Sequence, residues 1–213
     1  MNRRTLSLLM GTLLSLAMLA ATPLVRAAAD EAPDALIKRI SVDVLDNIKT
    51  DKSVQSGDMS RVISLVDTKI MPNVDFTRMT ASAVGRNWRQ ATPEQQKRLQ
   101  EEFKTLLIRT YSGALAQVKD QSISVKPMRG MAAADSEVVV RTEIIGNGDP
   151  VQLDYRMEKL PAGWKIYDLN VLGVWLVETY RTQFAQEINA KGVDGLIASL
   201  VQRNKTNVAS KKS

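Results

Sequence analysis

The spacing of apolar residues along this chain switches from three-and-four to two and back again, and this double switch constrains the fold more than any other feature. From Asp34, the residues Leu36, Ile37, Ile40, Val44, Leu45 and Ile48 recur on one helical face, so a first helix is expected to about Lys52. Ser56-Gly57-Asp58 interrupts the pattern, with Asp58 placed to cap a second helix that carries Met59, Val62, Ile63, Val66 and Ile70 and stops at Pro72. A short third helix holds Phe76, Met79 and Val84 and ends at Gly85. Thr92-Pro93-Glu94-Gln95 then joins a capping threonine, a proline at the first helical position and a glutamine three residues past the cap. It opens the longest helix, with a stripe of Leu99, Phe103, Leu106, Leu107, Thr110, Tyr111 and Leu115 that ends near Lys119.

The period of two begins next. Ile123/Val125, Val138/Val140 with Ile144, Val151/Leu153/Tyr155/Met157, and Trp164/Ile166 read as four strands. The turn clusters 146–150 and Pro161-Ala162-Gly163 are short enough to fold the last three into an antiparallel meander. Past Gly173, Val174, Val177, Tyr180, Phe184 and Ile188 share a helical face up to Gly192, Asp194 caps a last helix through Leu196, Ile197 and Leu200, and residues 205–213 read as a flexible polar tail. This order predicts an α+β fold, a curved antiparallel four-stranded sheet with N- and C-terminal helices enclosing an apolar pocket. No repeat or long linker divides residues 28–204, which are expected to form one domain.

Residues 1–27 read as a secretory signal peptide. Arg3 and Arg4 open it, an apolar run from Leu6 to Ala21 follows, and Val25-Arg26-Ala27 ends in a small-residue cleavage site, with Ala29 as second choice. Gly11, Thr12 and Ser15 interrupt the run, which is shorter than the roughly 20 apolar residues of a membrane span. Cleavage removes three arginines and no acid and leaves 26 basic against 23 acidic residues, a balance that makes no case for nucleic-acid binding. The sequence has neither cysteine nor histidine, so Ser-His-Asp triads, thiolate nucleophiles and the usual zinc sites are excluded. An exported chain without disulfides fits the periplasm, with stability supplied by a packed core.

Two sets of residues invite chemistry. Asp168 shares strand parity with Trp164 and Ile166 and is expected to point inward beside Tyr155, the kind of desolvated pair some isomerases use; the plainer reading is a strand-end cap or salt-bridge partner. Arg86-Asn87-Trp88-Arg89 sets an aromatic between two cations, suited to phosphate head groups or an anionic membrane, or to a surface loop with a half-buried Trp. An adaptor or chaperone would instead show an exposed apolar patch.

Val74-Asp75-Phe76 with Met79, Gly85 and Trp88, Ala91-Thr92-Pro93 with Gln95, Phe103 to Tyr111, Gly163 to Asp168, Gly173-Val174, Leu176-Val177, Tyr180-Arg181 with Phe184, and Gly192 with 194–197 and Leu200 together carry a resemblance. The sequence resembles the periplasmic phospholipid-binding proteins of the MlaC type, also called toluene-tolerance auxiliary proteins. That resemblance implies a sheet similar to the nuclear-transport-factor-2-like fold and a carrier, not an enzyme, that holds phospholipid by its acyl chains and maintains outer-membrane lipid asymmetry. It further implies an outer-membrane lipoprotein–porin complex and an inner-membrane ABC lipid transporter with a substrate-binding ring as partners, a monomeric protein, and no cofactor or metal besides the lipid cargo. The expected lipid-binding residues are Phe76, Met79, Phe103, Leu107, Tyr111, Val140, Leu153, Tyr155, Val174, Val177 and Tyr180. Trp175 departs from the family, which commonly has a small polar residue there, and is expected to narrow the pocket or cover an acyl chain if that position rims it.

Overall fold

Local capping sets the helix boundaries. In the computed structural model of the protein, which describes residues 31–128 and 135–209, α1 runs over Pro33–Thr50, α2 over Lys52–Gln55 and α3 over Met59–Leu65. The expected signal segment, residues 1–27, and the last four residues of the tail lie outside the described residues. Asp51 caps α2 and Asp58 caps α3, each accepting two backbone N–H groups. The second helix is shorter than its stripe predicts. Beyond Leu65 the backbone widens into a π turn, Val66–Ile70, and then tightens into a 3-10 turn, Met71–Asn73, around Pro72, which has no N–H to give.

Helix α4, Phe76–Val84, is capped by Asp75 and ends at Gly85, whose φ of 67° is the left-handed geometry glycine tolerates best. The backbone N–H of Asp75 donates to the carbonyl of Ile166 at 2.8 Å, which straps the start of α4 to the sheet. A 3-10 turn, Gly85–Arg89, leads to α5, Pro93–Ala116. Its capping box forms as expected, Gln95 N–H to Thr92 Oγ1 at 3.2 Å and Thr92 N–H to Gln95 Oε1 at 3.0 Å. The last helix, α6, spans Leu176–Ala209 and breaks at Gly192, where φ is 71°. Asp194 has another task than the expected cap: it accepts the Gln95 side-chain amide at 2.7 Å and ties the second half of α6 to the start of α5. The helix also continues past Asn204 into the expected tail, because the Asn204 side chain is buried and donates to the carbonyl and carboxylate of Glu102.

The sheet has five strands where four are expected. They are β1 Ser122–Val125, β2 Glu137–Ile145, β3 Val151–Leu160, β4 Gly163–Val171 and β5 Val174–Trp175, in the order β1-β2-β3-β4-β5 with every neighbouring pair antiparallel. The additional strand is two residues long, too short for any periodicity to reveal, and folds back on Asn170 and Val171 through a turn in which Leu172 has φ 53°. A β-bulge at Tyr167 pairs Met157 with Ile166 but Arg156 with Asp168. One residue on β3 therefore faces two on β4, and Asp168 turns to the face opposite Ile166.

Apolar burial is divided between two clusters. In the first, Leu36, Ile37, Ile40, Val44 and Ile48 of α1 pack on Val140, Tyr155, Met157, Trp164 and Ile166 of the sheet. The second lies among α4, α5 and α6 and contains Met79, Leu99, Phe103, Tyr180, Phe184, Leu196 and Leu200. Helix α5 joins them, with Leu99, Phe103 and Leu106 in the helical cluster and Ile108 in the sheet cluster. Val74 and Leu169 pack against both and mark the seam between them.

Candidate functional site

The helical cluster is built around one ring. Phe103 is fully buried, with its centroid 4.9 Å from Tyr180, 5.2 Å from Phe184 and 5.8 Å from Phe76, the first two edge-on. Tyr180 and Phe184 lie one turn apart on α6 with centroids 5.5 Å apart, so Phe103 of α5 packs against both. All three phenylalanines of the sequence meet here. Burial pushes the hydroxyls of Tyr180 and Tyr111 above the ordinary tyrosine range.

Of the expected lipid-binding residues, Met79, Phe103, Val177 and Tyr180 are buried in this cluster, and Phe76, Leu107 and Tyr111 are half-buried against it. Val140, Leu153 and Tyr155 belong instead to the sheet cluster under α1. Val174 lies outside both, on β5, and is 53% exposed. The structure thus brings seven of these residues together and sets three more across the seam. Phe184 has the same place in the ring cluster as Tyr180 and was legible as its neighbour four positions on.

Tyr155 is an anchor. Its side chain is enclosed between α1 and the sheet with Ser41 and Thr142 as hydrogen-bond partners, and burial raises its hydroxyl to about 12. Asp168 does not reach it, because the bulge at Tyr167 aims the carboxylate at the opposite face. There Oδ1 accepts the N–H of Val177 at 3.0 Å and that of Leu169 at 2.8 Å, and Oδ2 accepts Arg156 Nη1 at 2.9 Å. Burial pushes this carboxyl above the usual carboxylate range against the pull of the two amides and the guanidinium. Asp168 is therefore a salt-bridge partner that holds the first turn of α6, and the Asp168–Tyr155 pair expected of an enzyme does not form.

The sheet face that carries Arg156 is cross-braced. The Arg156 guanidinium lies 3.9 Å over the ring of Trp175, and that of Arg78 lies 3.7 Å over the ring of Tyr167 while pairing with Glu137 and Glu158. Trp175 thus stacks on a cation of this polar face. A hollow of about 380 Å3 beside the two halves of α6 is lined by Gln183, Gln186, Glu187, Ala190, Lys191 and Arg203. Five of these six residues are polar or charged and none belongs to the ring cluster, so this hollow does not suit an acyl chain. Among the described residues no helix is long and apolar enough to cross a membrane, and no group of acidic side chains is arranged to hold a metal ion.

Known proteins are similar to this one along most of the chain. The toluene tolerance protein ttg2D of Pseudomonas putida is 29% identical over 181 residues, covering 84% of this chain and 83% of the relative. The intermembrane phospholipid transport system binding protein MlaC of Haemophilus influenzae is 23% identical over 180 residues, covering 83% and 84%. Among solved structures, the phospholipid-binding protein from Ralstonia solanacearum in complex with a phospholipid matches with a TM-score of 0.80 and 51% identity, over 82% of this chain and 98% of that one. Residues 38–202, from the middle of α1 to the last turns of α6, match the family model described as MlaC protein, and the chain belongs to that family.

Proposed function

We propose that the protein is a periplasmic phospholipid carrier that holds a glycerophospholipid by its acyl chains and moves it between the outer and inner membranes, maintaining the lipid asymmetry of the outer membrane. The observation that carries this reading is the 51% identity, over nearly the whole length of the partner in the comparison, to a protein solved with a phospholipid bound. The acyl chains lie along α5 at the seam of the two clusters, where Phe76, Leu107, Tyr111 and Leu153 are half-buried and Val74 and Leu169 touch both sides. Met79, Phe103, Val177 and Tyr180 line the helical side, Val140 and Tyr155 back the sheet side, and Val174 stands at the rim.

The energetics suit a carrier. Each buried methylene is worth about 0.8 kcal/mol against water, so ten hold a lipid by roughly 8 kcal/mol and spontaneous release into water is negligible. Transfer from a bilayer exchanges one apolar environment for another and is nearly neutral. Direction must then come from the partners, an outer-membrane lipoprotein–porin complex and an inner-membrane ABC transporter with a substrate-binding ring, with the carrier acting as a monomer and using no cofactor. Native mass spectrometry of protein purified from the periplasm, followed by denaturing release, tests the reading. A stoichiometric diacyl phospholipid is expected; a protein that is empty and takes up none from vesicles overturns it.

A further inference from the structure

The turn Gly85–Arg89 and the facing turn of α6 form a cationic surface that the carrier reading leaves unused. Arg86, Arg89 and Arg181 are exposed, and among the described residues none of them has an ion-pair partner, whereas Arg61, Arg78, Arg156 and Arg203 are each paired. The two elements meet at Gly85: a Cβ there would lie 3.6 Å from Arg181 Nε and 4.0 Å from Nη2, so this guanidinium rests on the glycine backbone beside Arg86. Residues 76–91 contain no acid, and neither do residues 179–186. Of the acids that flank these segments in sequence, Asp75 caps α4, Glu178 pairs with Arg156, and Glu187 accepts Ser199, Lys191 and Arg203, while Glu94 is exposed in the first turn of α5, so the three arginines outnumber it. The turn itself is anchored, because Gln96 donates to the Trp88 carbonyl at 2.9 Å and the half-buried Trp88 ring packs against the helical cluster.

We propose that this surface docks the protein on an anionic lipid bilayer. A discrete anion would call for a built site with buried donors, and these three guanidinium groups are solvent-facing. A protein partner would call for an exposed apolar anchor among the charges, and Trp88, the aromatic of the turn, is turned into the fold. A bilayer needs neither, since it offers a dense field of mobile phosphates to any local excess of positive charge. Docking in this way sets the Trp88 end of the helical cluster against the membrane. This use rests on the carrier reading, but the docking itself does not.

Flotation of the purified protein with vesicles tests it, using phosphatidylcholine alone and phosphatidylcholine containing one-third phosphatidylglycerol at low salt. Wild-type protein is expected on the anionic vesicles and not on the neutral ones. At about 1 kcal/mol per arginine near an anionic surface, Arg86→Gln/Arg89→Gln/Arg181→Gln lowers the partition coefficient roughly hundredfold, and the exposed pair Arg86→Gln/Arg89→Gln roughly thirtyfold. Arg141→Gln, an exposed arginine on β2, leaves it unchanged. Equal binding to both vesicle types, or a triple variant that partitions within about twofold of wild type, overturns the proposal. Bound phospholipid, weighed by mass spectrometry in the same samples, separates the two ideas: loss of docking with cargo retained concerns this surface alone, and an empty wild type that still floats concerns the carrier reading alone.

Discussion

The two apolar clusters bury similar kinds of surface with different parts. The sheet cluster is mostly aliphatic, with Leu36, Ile37, Ile40, Val44 and Ile48 set among Val140, Met157 and Ile166, so its packing is spread over many small contacts. The helical cluster adds to its aliphatic residues a connected set of rings, in which Phe103 touches three others. Removing one aliphatic side chain leaves a local defect, whereas removing the central ring loosens three helices at once.

The largest expected effect tests that contrast directly. Phe103→Ala should cost about 3–5 kcal/mol in urea unfolding and strip the protein of co-purifying phospholipid, while Met157→Ala, equally buried but in the sheet cluster, should cost about 2–5 kcal/mol and leave the phospholipid in place. Loss of phospholipid from both variants would mean that the clusters do not divide the work. Next in size is Asp168, which serves the joint between sheet and α6. Asp168→Ala leaves Arg156 with Glu178 alone as ion-pair partner, strands the N–H groups of Leu169 and Val177 and should cost about 3 kcal/mol, against about 1 kcal/mol for Asp168→Asn, which keeps an acceptor.

The pH dependence of stability separates the same regions by sign. Burial raises the Asp168 carboxyl in the folded protein, so its contribution is fullest below the unfolded value and is lost as pH rises through the folded one. Asp51 and Asp58 behave oppositely. The Arg61 side chain and the α2 amides hold Asp51 down, and the Ser60 hydroxyl and the α3 amides hold Asp58 down, so their contributions are present above the unfolded value and lost as pH falls through the folded one. Unfolding followed from acid pH to neutral should therefore show Asp168→Asn flattening the neutral side of the profile and Asp58→Asn flattening the acid side. A profile unchanged by Asp168→Asn would show that its burial is compensated.

How far the sequence foretold each region follows from the range of the interactions involved. The caps at Asp58 and Thr92, the stop at Gly85 and the hairpin turns depend on residues within four positions of one another, and all are where the spacing puts them. The bulge at Tyr167 has no local signature, yet it reverses the face of Asp168 and with it the chemistry that strand parity suggests. The burial of Asn204 depends on Glu102, over a hundred positions away, so a polar composition alone reads its surroundings as a loose tail. The same limit applies to the candidate site: periodicity identifies apolar faces but cannot say that Tyr155 and Tyr180 face different partners.

Thr92→Ala removes one half of the capping box at the head of α5 and should cost about 1 kcal/mol, with Asp58→Ala about the same at α3. Because Gln95 of that box also holds Asp194, Thr92→Ala should loosen the second half of α6 in hydrogen exchange, and Asp58→Ala should not. Equal protection of residues 193–204 in the two variants would show that α5 and α6 are held by their rings alone.

The smallest effect on stability is expected at Val174, and it carries the most information about the rim. This side chain is 53% exposed, lies near the still more exposed Leu172, and belongs to neither cluster, so Val174→Glu should change unfolding free energy by no more than about 0.5 kcal/mol. Its expected consequence is functional: a carboxylate beside the path of an acyl chain must be desolvated whenever a lipid passes or rests there, and co-purifying phospholipid should fall steeply in a protein that is otherwise intact. Full loading of Val174→Glu would remove β5 from the rim and confine the lipid to the side of the seam lined by Phe103 and Tyr180.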